Sequence, residues 1–283
     1  MIRLKAYAKI NLSLQVVGKR ADGYHEIDSV MQSVSLYDEV SIERSRGGIT
    51  VMSDDLSLPA GEGNTAYRAA LLFFERTGIA PAASINIKKN IPVAAGLAGG
   101  SADAAAVLSG LNVSFNADLQ PSELSVIGEQ VGSDVPFCLY GGLCRCRGRG
   151  ELIEKMPNSQ CLMTNCYVIV KPDVSISTKW VYDNFDLVWL KEERLAGTHH
   201  LQDSISLFND LEKVVLPKYP EVESVKKELI RNGCLQAVMS GSGSAVFGLA
   251  PDKKTASRVH DRMKEAYPAT FLVEPVPSGV EIL

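Results

Sequence analysis

Lys9, Asp134 and two glycine-serine turns are the features of this 283-residue chain whose types and settings could do chemistry. The stretch Ile91 to Leu108 reads IPVAAGLAGGSADAAAVL, with Gly96, Gly99, Gly100 and Ser101 directly ahead of an alanine-rich run that contains Asp103. Glycine admits a left-handed backbone and lets another group come close. Ala102, Ala104, Ala105 and Ala106 favour helix, and Ser101 is a natural cap, so the loop should end at a helix N-terminus. Free N–H groups and the helix dipole there attract anions, phosphate above all. A plain tight turn into a packed helix would use the same residues. Lys9 and Asn11 are two apart, so in a strand they share a face. Asp134 lies in GSDVPF, where it could serve as a general base, as a metal ligand or as the cap of the helical turn that follows. The second turn, Ser240-Gly241-Ser242-Gly243-Ser244, joins two apolar strands.

Two phosphate loops are excluded. A P-loop needs Lys-Ser or Lys-Thr after its last glycine, and here Gly100 is followed by Ser101-Ala102. The dinucleotide fingerprint fails for want of a G-x-G opening and of an acid at the right distance. What is left is another kind of glycine loop, with a cation (Lys9) and a carboxylate (Asp134). Phosphoryl transfer needs those parts: a cradle for nucleotide phosphates, a cation against the transferring charge, and a base for the attacking hydroxyl.

The elements that must position them read as follows. Residues 3–17 form one or two strands, broken near Ala8-Lys9. A turn over Gly18–Gly23 delivers Tyr24 and His25, a pair able to stack on a ring and hydrogen-bond to it. A long strand-like region follows, then ITVMSD. Asn64-Thr65 opens a helix that ends at Gly78. ASINIKKN alternates as a strand whose Lys88 and Lys89 approach the glycine loop. Ser122 should cap a helix through Val131. GGLCRCRGRGE reads as a strand with Arg145, Arg147 and Arg149 on one exposed face. Composition turns polar around residues 155–160, which places a boundary there. The second half offers the strand CYVIVKP and a helix from Ser177-Thr178. Residues 186–204 read as irregular. Helices over Asn209–Glu212 and Val222–Asn232, an amphipathic helix from Lys253 to Tyr267 and a last strand TFLVEPV complete it.

Composition is globular, with 46% hydrophobic and 22% charged residues. A net charge of -4 argues against a general nucleic-acid binder. No run approaches the ~18 apolar residues of a membrane span. No signal or transit pattern precedes Lys9, so the cytoplasm is the expected location. Six cysteines show no CxxC pair and no zinc spacing, so buried thiols are expected. His199 and His200 are adjacent and would point apart, so no metal pair is expected of them.

Three segments, AYAKINLSLQVVGKRADGYHEIDSVMQSV, IPVAAGLAGGSADAAA and VMSGSGSAVFGL, resemble the three signatures of the GHMP kinase superfamily. K-I-N-L followed by G-K-R-x-D-G-Y-H-E-I is similar to the members that act on a cytidine diphosphate-linked methylerythritol, and G-S-D-V-P-F and F-N-D-L-E fit them too. The resemblance covers nearly the whole chain. It implies a two-domain α+β fold. Residues 1–157 would be an ATP-binding domain of the ribosomal-protein-S5-domain-2-like type, and residues 158–283 a GHMP α/β sandwich. It implies ATP and Mg²⁺, with phosphate transferred to the 2-hydroxyl of that substrate in the non-mevalonate route to isopentenyl diphosphate.

By the same likeness, Lys9 and Asp134 are the catalytic pair, with Lys9 favouring the ionised Asp134. Asn11 would hold substrate hydroxyls, and Tyr24, His25 and Tyr182 would engage the cytosine. Gly241 and Ser242 would lie near the substrate diphosphate. Gly96, Gly99, Gly100 and Ser101 would wrap the ATP phosphates, and Asn64, Lys88 and Pro92 would lie near the nucleotide. No dedicated metal site, nucleic acid, membrane or obligate protein partner is implied. A different GHMP kinase would not need the aromatic clamp, and a non-catalytic relative would be expected to lack Lys9 or Asp134. Ala98 stands where the family often has glycine, so an ordinary backbone is expected there. Cys144 and Cys146 replace smaller or hydroxyl residues and read as neutral core variation.

Overall fold

The computed structural model describes residues 1–157, 166–192 and 207–283. In chain order the first half contains β1 (Ile2–Lys19), β2 (His25–Arg44), β3 (Gly48–Ser53), α1 (Thr65–Thr77), β4 (Ala82–Lys88), α2 (Gly99–Phe115), α3 (Pro121–Val131), α4 (Val135–Tyr140), β5 (Leu143–Gly148) and β6 (Leu152–Lys155). The second half contains β7 (Cys166–Val170), α5 (Thr178–Glu192), β8 (Phe208–Asn209), α6 (Glu212–Lys218) and α7 (Pro220–Asn232), then β9 (Gln236–Met239), β10 (Val246–Ala250), α8 (Lys253–Ala266), β11 (Thr270–Val273) and β12 (Val280–Ile282). This is the expected α+β architecture, built on two sheets. One has the order β12-β1-β2-β4-β3, with β5 and β6 added on β2 and β8 added on β1; the other has the order β11-β7-β10-β9.

β1 is one strand of 18 residues rather than two, and it stays buried across both faces from Ala6 to Leu14. The expected break is a register shift against β2 between Tyr7 and Lys9. It arises because β2 bows away there to serve the C-terminal tail: Ser35 N–H donates to Glu274 O, and Val276 N–H donates to Ser33 O. The tail then adds β12 antiparallel to β1, with Leu4 opposite Ile282. β12 was not foreseen, because three residues carry no period. A second small strand stands where the sequence reads as helix. Asn209 lies in β8, parallel to β1 at Leu14, and α6 begins only at Glu212.

α2 is the central helix. Ala102 to Leu108 are all buried, as in a helix covered on every side. Its alanines let neighbours approach, and Gly110 leaves room for Leu4 and Ile42, whose methyl carbons a Cβ would meet at 3.0 and 2.5 Å. Helix entries differ in detail from the sequence reading. α3 is entered at Gln120 with Pro121 as its first residue, and Glu123 accepts the Gln120 N–H at 2.9 Å, so Ser122 is not its cap. α5 runs on to Glu192, past the point where irregular chain was expected. α1 behaves as read, with Asn64 accepting from Ala66 N–H and Gly78 left-handed at its end.

The tail crosses the first half at a glycine pair. A Cβ on Gly279 would sit 1.9 Å from the Cys138 carbonyl oxygen, and one on Gly141 would sit 1.7 Å from the Gly279 nitrogen. Both obstacles are backbone and cannot swing aside. Gly279→Ala is therefore expected to destabilise the protein by about 1–3 kcal/mol or more in denaturant titration. An unchanged midpoint would show that the tail does not need this contact.

Candidate active site

Three segments meet at the Gly96 carbonyl. It accepts the Lys9 ammonium at 3.0 Å and the Ser240 hydroxyl at 2.9 Å. Ser240 in turn accepts Asn11 N–H at 3.3 Å, and Ala245 N–H donates to Ala95 O at 3.1 Å. The two glycine-serine turns are thus docked on each other and on β1. Gly96 has φ +74°, and a Cβ there would lie 2.0 Å from Ser240 O. No side chain fits between the turns. Asn209, from the F-N-D-L-E segment, holds the second turn by donating to Met239 O and Gly241 O, both at 2.7 Å.

Lys9 is 3% exposed, and a buried ammonium is costly unless its charge and donors are matched. They are matched by Asn11 Oδ1 at 2.6 Å, by the Gly96 carbonyl and by Asp134 Oδ2 at 3.6 Å. Asn11 is fixed by donating to Ser29 Oγ at 2.9 Å. The Asp134 side chain is 30% exposed and accepts no hydrogen bond from a described residue. It precedes α4 without capping it. A carboxylate beside a fixed cation and otherwise free is able to take a proton from a substrate hydroxyl.

Both groups open into a cleft of about 1080 Å³. Its lining includes Gly99, Gly100 and Ser101 in the first turn of α2, together with Asn64 and Pro92. Gly100 O accepts from Thr65 Oγ1 at 2.7 Å, which ties this turn to α1. Ser101 is inside the helix rather than its cap; the entry residue is Ala98, with φ 59° and ψ 29°. The expectation of ordinary backbone at Ala98 is therefore wrong. The turn from loop to helix needs a left-handed residue, and alanine takes it at a cost of roughly 1–2 kcal/mol. Tyr24, His25 and Tyr182 line the same cleft, as do Gly241 and Ser242. His25 and Tyr182 are stacked, with ring centroids 4.8 Å apart and planes at 27°. Thr178 Oγ1 and Ser242 Oγ, 2.8 Å apart, join the start of α5 to the second turn.

Among the residues singled out from sequence, Lys88 does not line the cleft. It is exposed and paired with Glu39 at 2.9 Å. Strand alternation at the end of β4 sends Lys88 outward and leaves Lys89 to turn inward. Lys89 lines the cleft and is clasped by Asp38 and Asp103. Burial opposes its charge, but the two carboxylates outweigh that and hold its pKa above the ordinary value. Asp38 also accepts Ile91 N–H at 2.8 Å, which fixes the entry to the glycine loop. The sign of this cluster was present in the sequence as an acid inside an alanine helix, but its partners were not.

Arg149, expected on an exposed strand face, is instead half-buried and lines the cleft. It lies past the end of β5, its guanidinium 4.8 Å over the Tyr24 ring and paired with Glu129 at 3.1 Å. Arg147 keeps the exposed position expected of it, paired with Glu154, whereas Arg145 is half-buried against Asp28. The five cysteines among the described residues are buried thiols. Burial raises the pKa of Cys144 and Cys234 to about 11, so both are inert at neutral pH. Cys161, His199 and His200 lie outside the described residues.

Comparison with known proteins bears on this cleft. Residues 64–142 match the model of the GHMP kinases N terminal domain, and residues 193–269 match that of the GHMP kinases C terminal domain. A protein of Acetivibrio thermocellus named 4-diphosphocytidyl-2-C-methyl-D-erythritol kinase is 45% identical over 97% of this chain and 99% of its own. The chain belongs to the 4-diphosphocytidyl-2-C-methyl-D-erythritol kinase family. A protein of the same name from Moorella thermoacetica is 44% identical over 96% of this chain and 98% of its own. A crystal structure of a 4-(cytidine 5'-diphospho)-2C-methyl-D-erythritol kinase superposes with a TM-score of 0.80 at 30% identity, covering 96% of this chain and 98% of that one. This kinase family therefore accounts for both sheets and for the junction between them. Among the described residues no helix is long and apolar enough to cross a membrane.

The Asp38–Lys89–Asp103 cluster holds two acids for one base. Burial, opposed by Lys89 and reinforced by Asp38, lifts the Asp103 pKa from 3.8 to about 7. Its Oδ1 has no hydrogen-bond partner. With the folded value above the unfolded one, the folded protein holds the extra proton between those two values. The stability from Asp103 is then complete below the lower value and lost as pH rises through the upper one. Relative to Asp103→Asn, the wild-type protein should lose on the order of 2 kcal/mol between about pH 5 and about pH 8. A pH-independent difference in unfolding free energy would refute this.

Proposed function

We propose that the chain transfers the γ-phosphoryl group of ATP to the 2-hydroxyl of 4-diphosphocytidyl-2-C-methyl-D-erythritol, giving the 2-phosphate and ADP. The observation that carries this reading is the Lys9–Asp134 pair, 3.6 Å apart, in a single cleft that is also lined by the first turn of α2 and by an aromatic cluster. Triphosphate at the helix turn and cytosine at the aromatic cluster would bring the two reacting groups together at this pair.

In this reading the first turn of α2 and the Gly96 turn hold the nucleotide phosphates through backbone N–H groups. Asn64, Pro92 and Lys89 flank the nucleotide. Asn11 orients the methylerythritol hydroxyls. Gly241 and Ser242 face the substrate diphosphate. Tyr24 and Tyr182 offer ring faces to the base and His25 its edge. Asp134 takes the hydroxyl proton as the oxygen–phosphorus bond forms and the bond from the γ-phosphorus to the β-bridging oxygen breaks, with ADP as leaving group. Lys9 counters the charge on the moving phosphoryl group. Mg²⁺ accompanying ATP would neutralise phosphate charge. The hard oxygen donors beside that path are the Ser101 hydroxyl, which has no partner among the described residues, and the Asp134 carboxylate.

The reading carries with it a cytoplasmic location in the non-mevalonate route to isopentenyl diphosphate, and small molecules as the binding partners. It also carries a domain division at 157/158, with the second half lending β8 and β12 back to the first sheet.

Coupled ADP release with the cytidine diphosphate-linked methylerythritol tests the reading. Asp134→Asn is expected to lower kcat by about 10²–10⁴ with the fold intact. Tyr182→Ala should raise KM for that substrate by roughly tenfold, the worth of one base–aromatic stack. Turnover of mevalonate or homoserine in its place would overturn the assignment.

A further inference from the structure

We propose that Asp186 sets which nitrogen of His25 carries its proton, and thereby makes the site prefer cytosine over uracil. The inference rests on the reading above that the substrate carries a cytidine. It concerns a residue that the sequence placed in irregular chain and that does not line the cleft itself.

The argument starts on α5. Tyr182 and Asp186 are one helical turn apart and so share a face. Tyr182 covers the His25 ring, and Asp186 Oδ1 meets His25 Nε2 at 2.6 Å. The second oxygen of Asp186 is paired with Lys19 on β1. Burial works against ionising Asp186, but the hydrogen bonds from Lys19 and His25 prevail and hold its pKa below the ordinary value. An ionised carboxylate only accepts. The proton in the 2.6 Å contact therefore belongs to Nε2.

In a neutral imidazole a proton on Nε2 leaves Nδ1 as an acceptor. Nδ1 makes no hydrogen bond to a described residue, and His25 lines the cleft. Cytosine presents a 4-amino donor on its pairing edge, whereas uracil, like thymine, presents a 4-oxo acceptor. An imposed acceptor receives the first and repels the second. Asp186 acts through His25 in the way that an outer carboxylate orients a metal-bound histidine. Lys19 secures the arrangement by occupying the oxygen that His25 does not use.

The test uses the full chain. With the cytidine substrate, Asp186→Asn should raise KM about tenfold and leave kcat and the KM for ATP within about twofold, since an amide can either donate to Nε2 or accept from it. The preference for the cytidine substrate over its uridine analogue should fall by at least about tenfold. Nitrogen NMR of the His25 ring, on protein labelled at histidine, reads the tautomer directly. The wild-type protein should show Nε2–H alone, and Asp186→Asn a mixture. A merely structural loss would lower thermal stability without changing either the tautomer or the base preference. Wild-type protein that turns over neither nucleotide substrate, or both equally, overturns the cytidine reading itself. Wild-type protein that selects cytidine but carries its proton on Nδ1, or that keeps its preference in Asp186→Asn, overturns the role of Asp186.

Discussion

A single backbone oxygen, that of Gly96, ties β1 and the two glycine-serine turns together. It takes one hydrogen bond from Lys9 on β1 and one from Ser240 just past β9 in the second half. The same contact brings the two glycine-serine turns against each other so closely that only glycine fits at position 96. Lys9 is buried, so its charge must be answered locally, and the answer fixes where Asn11 and Asp134 stand. The position of the reactive groups thus follows from satisfying one ammonium in a dry place.

The two sheets are joined at more than one place. The tail bows β2, supplies β12 to β1 and crosses the Gly141 and Gly142 turn that follows α4. β8 adds to the same edge of β1 as β12, farther along at Ser13 and Leu14, and its Asn209 carries the second turn. α5 reaches back to the start of β2 through Tyr182 and Asp186. A cleft bordered by both halves can hold two substrates end to end, which a two-substrate transfer requires.

Polar clusters flank the loop. Asp38, Lys89 and Asp103 pin its entry and the first turn of α2 from behind, while Arg149 backs the Tyr24 ring from the turn after β5. Gly150 in that turn also approaches Asp134: a Cβ there would lie 3.6 Å from Oδ1. One short turn therefore touches both the aromatic platform and the carboxylate.

The sequence by itself determined most elements and marked Lys9, Asp134 and the two glycine-serine turns, while its family likeness implied the α+β class and the remaining cleft residues. The former properties are local. Alternation marks strands, Asn64 and Gly78 mark helix ends, and a Lys, an Asp and a glycine loop carry their chemistry wherever they lie. The tertiary structure decided what depends on contact between distant segments. Lys88 and Lys89 are chemically alike, and only the end of β4 separates the one that faces solvent from the one clasped by two buried acids. Ala98 takes a left-handed backbone because the docked loop demands it, against its own preference. β12 exists only because β1 has a free edge for it. Asp186 gained a role when α5 laid it against His25, 161 positions away in the chain. No local pattern encodes such a pairing, because the energy that holds it comes from burying both partners together.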